Sequence, residues 1–373
     1  MAFGMKSEDI IEHMFSDGRI QAARTAVDTA CVAIPMIARL KTTPQTAPEH
    51  AEGDWVTDHL VRMFVVIDAI EHGTSFSQCE DIGTDQVVCL ALVDAEYAIR
   101  SSPNMFRAFA LMHAIAKPDR LLLVAEPGTV GEKEGFARGI KRSEPYSTVP
   151  ERVRFDTLRR AGRAEGIVAT FDDADCAVIA PQYAEAREAI VKHCGLENAF
   201  VKFVTELCWS HGDVGRFFQI SGNESAFVTF PARAGRAGIN VEKYLDALLA
   251  IALLCHDIGR ISSTRPPALH TFHEFALAEY VVMPERHAAR EARQRHAQKL
   301  RVKAILAEAG LDPEELFKQL GVGFGPERGE VMHRVYAVIR GETDASSFAV
   351  HAISIADRSH RAAELLAKEG LSV

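Results

Sequence analysis

The stretch Val241–Arg260, VEKYLDALLAIALLCHDIGR, is where the reading of this chain turns. Its apolar residues Val241, Leu245, Leu248, Leu249, Ala252 and Leu253 recur at helical spacing, and His256 continues the same stripe. The imidazole is therefore expected to point inward. Gly259 is placed to end the helix with positive φ, a turn that would let the consecutive side chains of His256 and Asp257 converge. Alone, a histidine on an apolar face reads as a satisfied core residue, so the neighbouring segments decide its meaning.

Three other segments put a metal-ligand side chain at helical spacing from apolar residues. His211 in WSHGDVGRFF is followed by Val214 and Phe218, and His273 in HTFHEFALAEYVV by Leu277, Tyr280 and Val281. Asp357 in AVHAISIADRSHR follows Val350 and Ile353. Each of the three is expected on the apolar face of its own helix. A carboxylate facing a core is costly unless it is paired or bound to a cation, and a shared metal would remove that cost for all of them.

The order His, His-Asp, His, Asp on successive helices, over residues 200–365, resembles the HD superfamily of metal-dependent phosphohydrolases. The resemblance implies His211, His256, Asp257 and Asp357 as metal ligands, with Asp257 also central to catalysis. It leaves His273 to protonate the leaving oxygen. Arg260 in HDIGR stands where the family's HDxGK has lysine, and either cation can meet a substrate phosphate. The run from ILAEAGLDPEELFKQL through VIRGET to IADRSH is similar in layout to the nucleotide triphosphohydrolase branch. Imidazoles with carboxylates suit Mn, Fe, Co, Ni or Zn better than Mg, and the sequence does not choose among these five.

The implied function is hydrolysis of a phosphoester or phosphoanhydride in a small molecule, a nucleotide foremost. Two other readings stay open: an HD-type di-iron oxygenase, and a non-catalytic regulator that binds a nucleotide through both halves. A second metal would draw on His273 with His296 or His333. His296, in EARQRHAQKLR, reads as a solvent-facing helix residue, whereas His333 in GEVMHRVYAVI lies beside apolar residues. His270 lies one turn before His273 and would orient it or belong to a loop. His287, His351 and His360 read as structural or surface residues.

The first half contains PEHAEGDWVTDHLVRMF and FRAFALMHAIAKPDR. ALMHAIAK aligns with LLCHDIGR without a gap, with Ala114 at the place of Asp257 and Ala116 at that of Gly259. His59 precedes His113 by 54 residues, against 45 from His211 to His256. Glu52-Gly53-Asp54 before His59 looks like the HD domain attached to some tRNA nucleotidyltransferases, although no nucleotidyltransferase domain is present. Lys133 stands where a further ligand would be sought, and an ammonium beside a dication is repulsive. Residues 45–195 are therefore expected to form a degenerate HD domain used for packing, regulation or dimerisation. The alternatives are an unrelated helical domain, or one HD domain in which His59 replaces His211 as first ligand across a long insertion.

With 373 residues, 47% of them hydrophobic, the chain is long enough for two domains. The expected fold is mainly α, two helical HD-like domains in tandem: 1–195, degenerate, and 196–373, with the metal site. The border falls where a helix ends at Gly195. Strands are expected at Leu121–Val124 and as a pair, Ile167–Thr170 with Ala177–Ile179, around Asp172-Asp173. Pro231, Gly235 and Gly238 are expected to interrupt the helical pattern, and Arg286–Lys303 reads as a solvated helix face.

A net charge of -9 leaves no footprint for a nucleic-acid backbone and favours a small phosphorylated substrate. No stretch approaches a membrane span, and MAFGMKSEDIIEHMF lacks the features of a secretory leader, so a cytoplasmic address is expected. The seven cysteines, odd in number and without a C-x-x-C pair, read as reduced. A homo-oligomer is compatible with all of this.

Overall fold

A computed structural model describes residues 6–45, 53, 55–82, 85–125, 128–129, 137–138, 157–163, 166–171, 174–219, 226–257, 269–282 and 284–373. The chain is mainly α, as its periodicity indicates. The longer helices are α1 (Ser7–Met14), α2 (Asp17–Ala33), α3 (Val56–Glu71), α4 (Gln86–Ser101), α5 (Pro103–His113), α6 (Ala184–His193) and α7 (Ala199–Gln219). They continue as α8 (Ala226–Ala237), α9 (Val241–Ile251), α10 (His270–Val282), α11 (Pro284–Glu308), α12 (Pro313–Leu320), α13 (Glu327–Ile339) and α14 (Ala352–Lys368). Among the described residues no helix is long and apolar enough to cross a membrane. All seven cysteines are free thiols.

Local chemistry sets the starts of the helices that matter most. The Asp85 carboxylate accepts from the backbone N–H groups of Val87 and Val88 at 3.0 and 3.1 Å and opens α4. Asn240 does the same for α9, accepting from the Lys243 N–H at 3.0 Å. Pro103 sits in the first turn of α5, where a missing N–H leaves no bond unmade. In α3 and α9 apolar residues occupy nearly the whole circumference, and Tyr244 through Ile251 are all buried. A helix apolar all round belongs in the middle of a bundle.

α3 packs on α2 and α5, α5 on α7, α7 on α8, and α9 on α4. Helices of the first half thus lie against helices of the second, and Met5–Arg286 forms one compact unit. The division expected at Gly195 is not where the chain divides. Gly195, at φ 72°, does close α6, but α7 beyond it returns to α5. The other unit includes His287–Val373, with a core of Leu306, Leu311, Phe317, Val335, Ile355 and Leu366. Arg295 and His296 on α11 are exposed, as expected of a solvated face.

Three strands, β1 (Leu121–Ala125), β2 (Ala137–Arg138) and β3 (Ile167–Phe171), form a sheet in the order β2-β1-β3. β1 runs antiparallel to β3, with Leu123 opposite Ala169. Two of the expected strands are present, but Ala177–Ile179 is not the partner of β3. Leu121, Leu123 and Ala125 bury against Leu158, Ile167 and Ala169, which supplies β3 with an apolar neighbour. Residues Ala174–Ala177 instead make one helical turn that packs on α7.

Pro231 does not interrupt its helix either. Phe227, Phe230, Ala234 and Ala237 keep a buried stripe through α8, and the helix gives way only at Gly238, φ 74°.

Candidate metal centre

α9 does not end at the His-Asp pair. At Ala252 it widens into a π-helical turn, Ala252–Asp257, whose i→i+5 spacing is rare and recurs at functional sites. Leu253, Leu254 and Cys255 are buried, and His256 is half-buried. The backbone of Asp257 follows directly. Its side chain, Gly259 and Arg260 lie outside the described residues, as does Lys133.

His256 is one end of a string of imidazoles. Its ring stacks on that of His211 in α7, with centroids 4.9 Å apart and planes 22° from parallel. The His211 ring meets His113, the last residue of α5, edge-on at 5.4 Å. His113 in turn meets His59 of α3 edge-on at 5.7 Å. Four histidines, two from each half of the sequence, converge inside one unit. His59, in the first turn of α3, meets His113 at the end of α5, and His211, in the middle of α7, meets His256 near the end of the π-helical turn.

His211 and His113 are shifted in opposite directions. The His211 Nδ1 lies 3.0 Å from Asp175 Oδ2, on the helical turn after β3, and both side chains are largely buried. Burial lowers the His211 pKa, but the charges of Asp175 and Cys255 outweigh it and push the imidazole up to about 10. Burial likewise raises the Asp175 carboxyl, and His211 reverses the sign to hold it below the usual range. The second oxygen, Asp175 Oδ1, is buried without a hydrogen-bond partner. Among the described residues no such carboxylate pairs with His113. Burial drives its pKa well below the ordinary value, and the charges of Lys117, His211 and His59 add to the effect.

The scaffold under His211 is tied to its neighbours by polar contacts. The buried Tyr244 hydroxyl of α9 lies 2.6 Å from Ser210 Oγ and donates to the Glu206 carbonyl at 3.0 Å. Arg236 of α8 donates to both Glu206 carboxylate oxygens at 2.9 and 3.1 Å, while Arg233 pairs with Asp213. Both guanidinium groups lie over the Trp209 ring, at 4.7 and 5.5 Å. Every one of these contacts joins α7 to α8 or α9.

The remaining sequence-derived candidates are distributed differently. His273 is half-buried on α10, which packs against the π-helical turn, and its charge reaches Asp81. Leu277, one turn on, is 41% exposed, so that helix face is less apolar than its spacing suggests. Asp357 belongs to the other unit and is exposed there. Its expected apolar face is absent: Val350 is 92% and Ile353 81% exposed, while α14 buries Ile355, Ser359, Ala362 and Leu366. Asp357 is two residues past Ile355, about 200° around the helix. His296 and His333 are exposed, and His360 pairs with Glu364 on the surface at 3.4 Å. His351 has its Nδ1 3.3 Å from Gln319 Nε2, and the side chains of His270 and His287 lie outside the described residues.

Two participants escape a reading of the sequence. Asp175 follows a strand in an irregular stretch with no periodicity to mark it. Lys117 lies four residues past His113, as Arg260 does past His256, and the ALMHAIAK alignment already carried that signal. Its side chain is buried, with Nζ 5.1 Å over the Phe171 ring, and its charge lowers the pKa of both His113 and Asp175.

In donor chemistry the string fits a transition metal, with imidazoles, a buried carboxylate and a partnerless imidazole nitrogen, His113 Nε2, in one place. Among the described residues these side chains are not drawn into a closed cage. Among the described residues, the group of three donors whose ligand atoms all lie within 4.8 Å is Asp68, Glu71 and His72, half-buried or exposed on α3 and its end. Glu71 there already pairs with Arg107. In comparison with known proteins, no family model, curated protein or solved structure matches this chain, and the imidazole string is left to be read on its own chemistry.

Proposed function

We propose that the chain is a metal-dependent hydrolase of small phosphorylated molecules, acting on a phosphoester or phosphoanhydride, a nucleotide foremost, at the histidine string. One observation carries the reading: four imidazoles in successive ring contact, with Asp175 at His211, occupy core space that apolar side chains would fill at no desolvation cost. His211 and His256 would hold the ion together with Asp257, whose backbone adjoins His256. When bound, Mn, Fe, Co, Ni or Zn supplies Lewis acidity toward a phosphoryl oxygen.

The chain's own residues divide the remaining work. Asp175 Oδ2 lies 3.0 Å from His211 Nδ1 and holds a negative charge beside that ring. Lys117 brings a positive charge to the same site and suits an anionic substrate. To His273, on the helix packed against the π-helical turn, we assign protonation of the leaving oxygen. The seven free thiols go with a cytoplasmic address.

The test is a panel of nucleotides and simple phosphoesters incubated with protein loaded in turn with each of the five metals. Release of phosphate or pyrophosphate, abolished in His256→Ala, is the expected result. A second reading, a di-iron oxygenase, draws on the length of the string, whose three successive ring contacts offer donors to more than one ion. It requires two irons per chain and an absorption change on exposure to oxygen.

A further inference from the structure

We infer that His113, in the half of the chain whose HD-like segment lacks the carboxylate, is itself a metal ligand through Nε2. The inference rests on the metal reading above and goes beyond the ligand set that the HD pattern implies. The His113 Nδ1 lies 2.7 Å from the Ala110 carbonyl oxygen, one turn back in α5. A carbonyl oxygen only accepts, so Nδ1 carries the proton and Nε2 presents its lone pair. That lone pair is buried, on a residue with 0% exposure, and has no hydrogen-bond partner.

The ring plane is held as well as the tautomer. His113 stacks on Phe109 at 5.4 Å, 16° from parallel, while the rings of His59 and His211 meet it edge-on. A buried acceptor facing other imidazoles is costly, and a cation satisfies it without a proton donor. A carbonyl on the far nitrogen is the support that metal-bound histidines usually have. Ala114 in place of the carboxylate therefore leaves the first half without one ligand and still supplies another, so that both halves serve one centre.

The test uses the full chain, stripped of metal and titrated with Co²⁺, whose visible absorption reports its ligands. His113→Asn keeps an amide that can donate to the Ala110 carbonyl but has no group at the Nε2 position. Relative to the parent, its Co²⁺ affinity is expected to fall at least tenfold with a changed spectrum, while its melting curve stays cooperative. Equal affinity and an unchanged spectrum would overturn the inference while leaving the metal reading intact. A parent chain that binds no Co²⁺ would overturn both. Should His113→Asn fail to fold, X-ray absorption of the Co²⁺-loaded parent decides: three or more imidazoles support the assignment, and two or fewer overturn it.

Discussion

The rings of His113 and His211 lie 5.4 Å apart, although 98 residues and the whole sheet segment separate them along the chain. That contact makes one site of what the sequence presents as two. α5 and α7 pack side by side, each bringing a histidine to the same place, and α3 and α9 complete the set from either flank. Histidines of the first half therefore line the candidate centre together with those of the second.

Asp175→Asn tests the electrostatic support of His211. Removing one partner of a buried ion pair costs about 3–5 kcal/mol when both groups are fully enclosed. Asp175 keeps 24% of its side chain exposed, so a loss toward the lower end is expected in urea denaturation of the metal-free protein. A change smaller than the error of extrapolation would mean that the pair is not formed in solution.

The same pair gives a pH dependence whose sign is fixed. His211 is raised from 6.5 to about 10 in the folded chain, so its contribution is complete below pH 6.5 and is lost as pH rises through about 10. Between those limits the metal-free protein should lose up to about 1.4 kcal/mol of stability per pH unit from this group. Denaturation midpoints for the parent and Asp175→Asn, collected from pH 6 to 10, check it: the slope should be present in the first and flattened in the second.

Tyr244→Phe removes the hydroxyl between Ser210 and the Glu206 carbonyl and takes a hydrogen-bond partner from the buried Ser210 Oγ. A cost of about 1–3 kcal/mol is expected, read from chemical denaturation. Metal affinity should change far less than in variants of the histidines, because the hydroxyl touches the back of α7.

Asp357→Ala addresses the one expected ligand that lies in the other unit. The residue is exposed on α14, and its replacement should change stability by less than about 0.5 kcal/mol. Loss of a metal equivalent in that variant would return Asp357 to the ligand set.

Much of this was legible in the residues themselves. The apolar stripes of α7 and α9 placed His211 and His256 inward, whereas the gapless match of ALMHAIAK to LLCHDIGR, with Ala114 for the carboxylate, set His113 in a copy expected to hold no metal. Asp357 was misplaced because its spacing from Val350 assumed one continuous helix. Ala349 takes φ 49° and α14 begins only at Ala352, so the stripe that buries Ile355 and Ser359 is out of register with Val350. The border expected at Gly195 differs from the division at Arg286 for another reason: periodicity says which face of a helix is buried, but not which helix will cover it. Asp175 left no trace, since a carboxylate in a non-periodic turn gains its meaning only from the histidine that reaches it.

The most direct test of the shared centre is elemental analysis of the purified parent chain beside His211→Ala. The expected result is a near-stoichiometric transition metal in the parent and its loss in the variant, with both chains folded. A parent that carries no such metal, and retains none after incubation with Mn, Fe, Co, Ni or Zn and dialysis, would contradict the account.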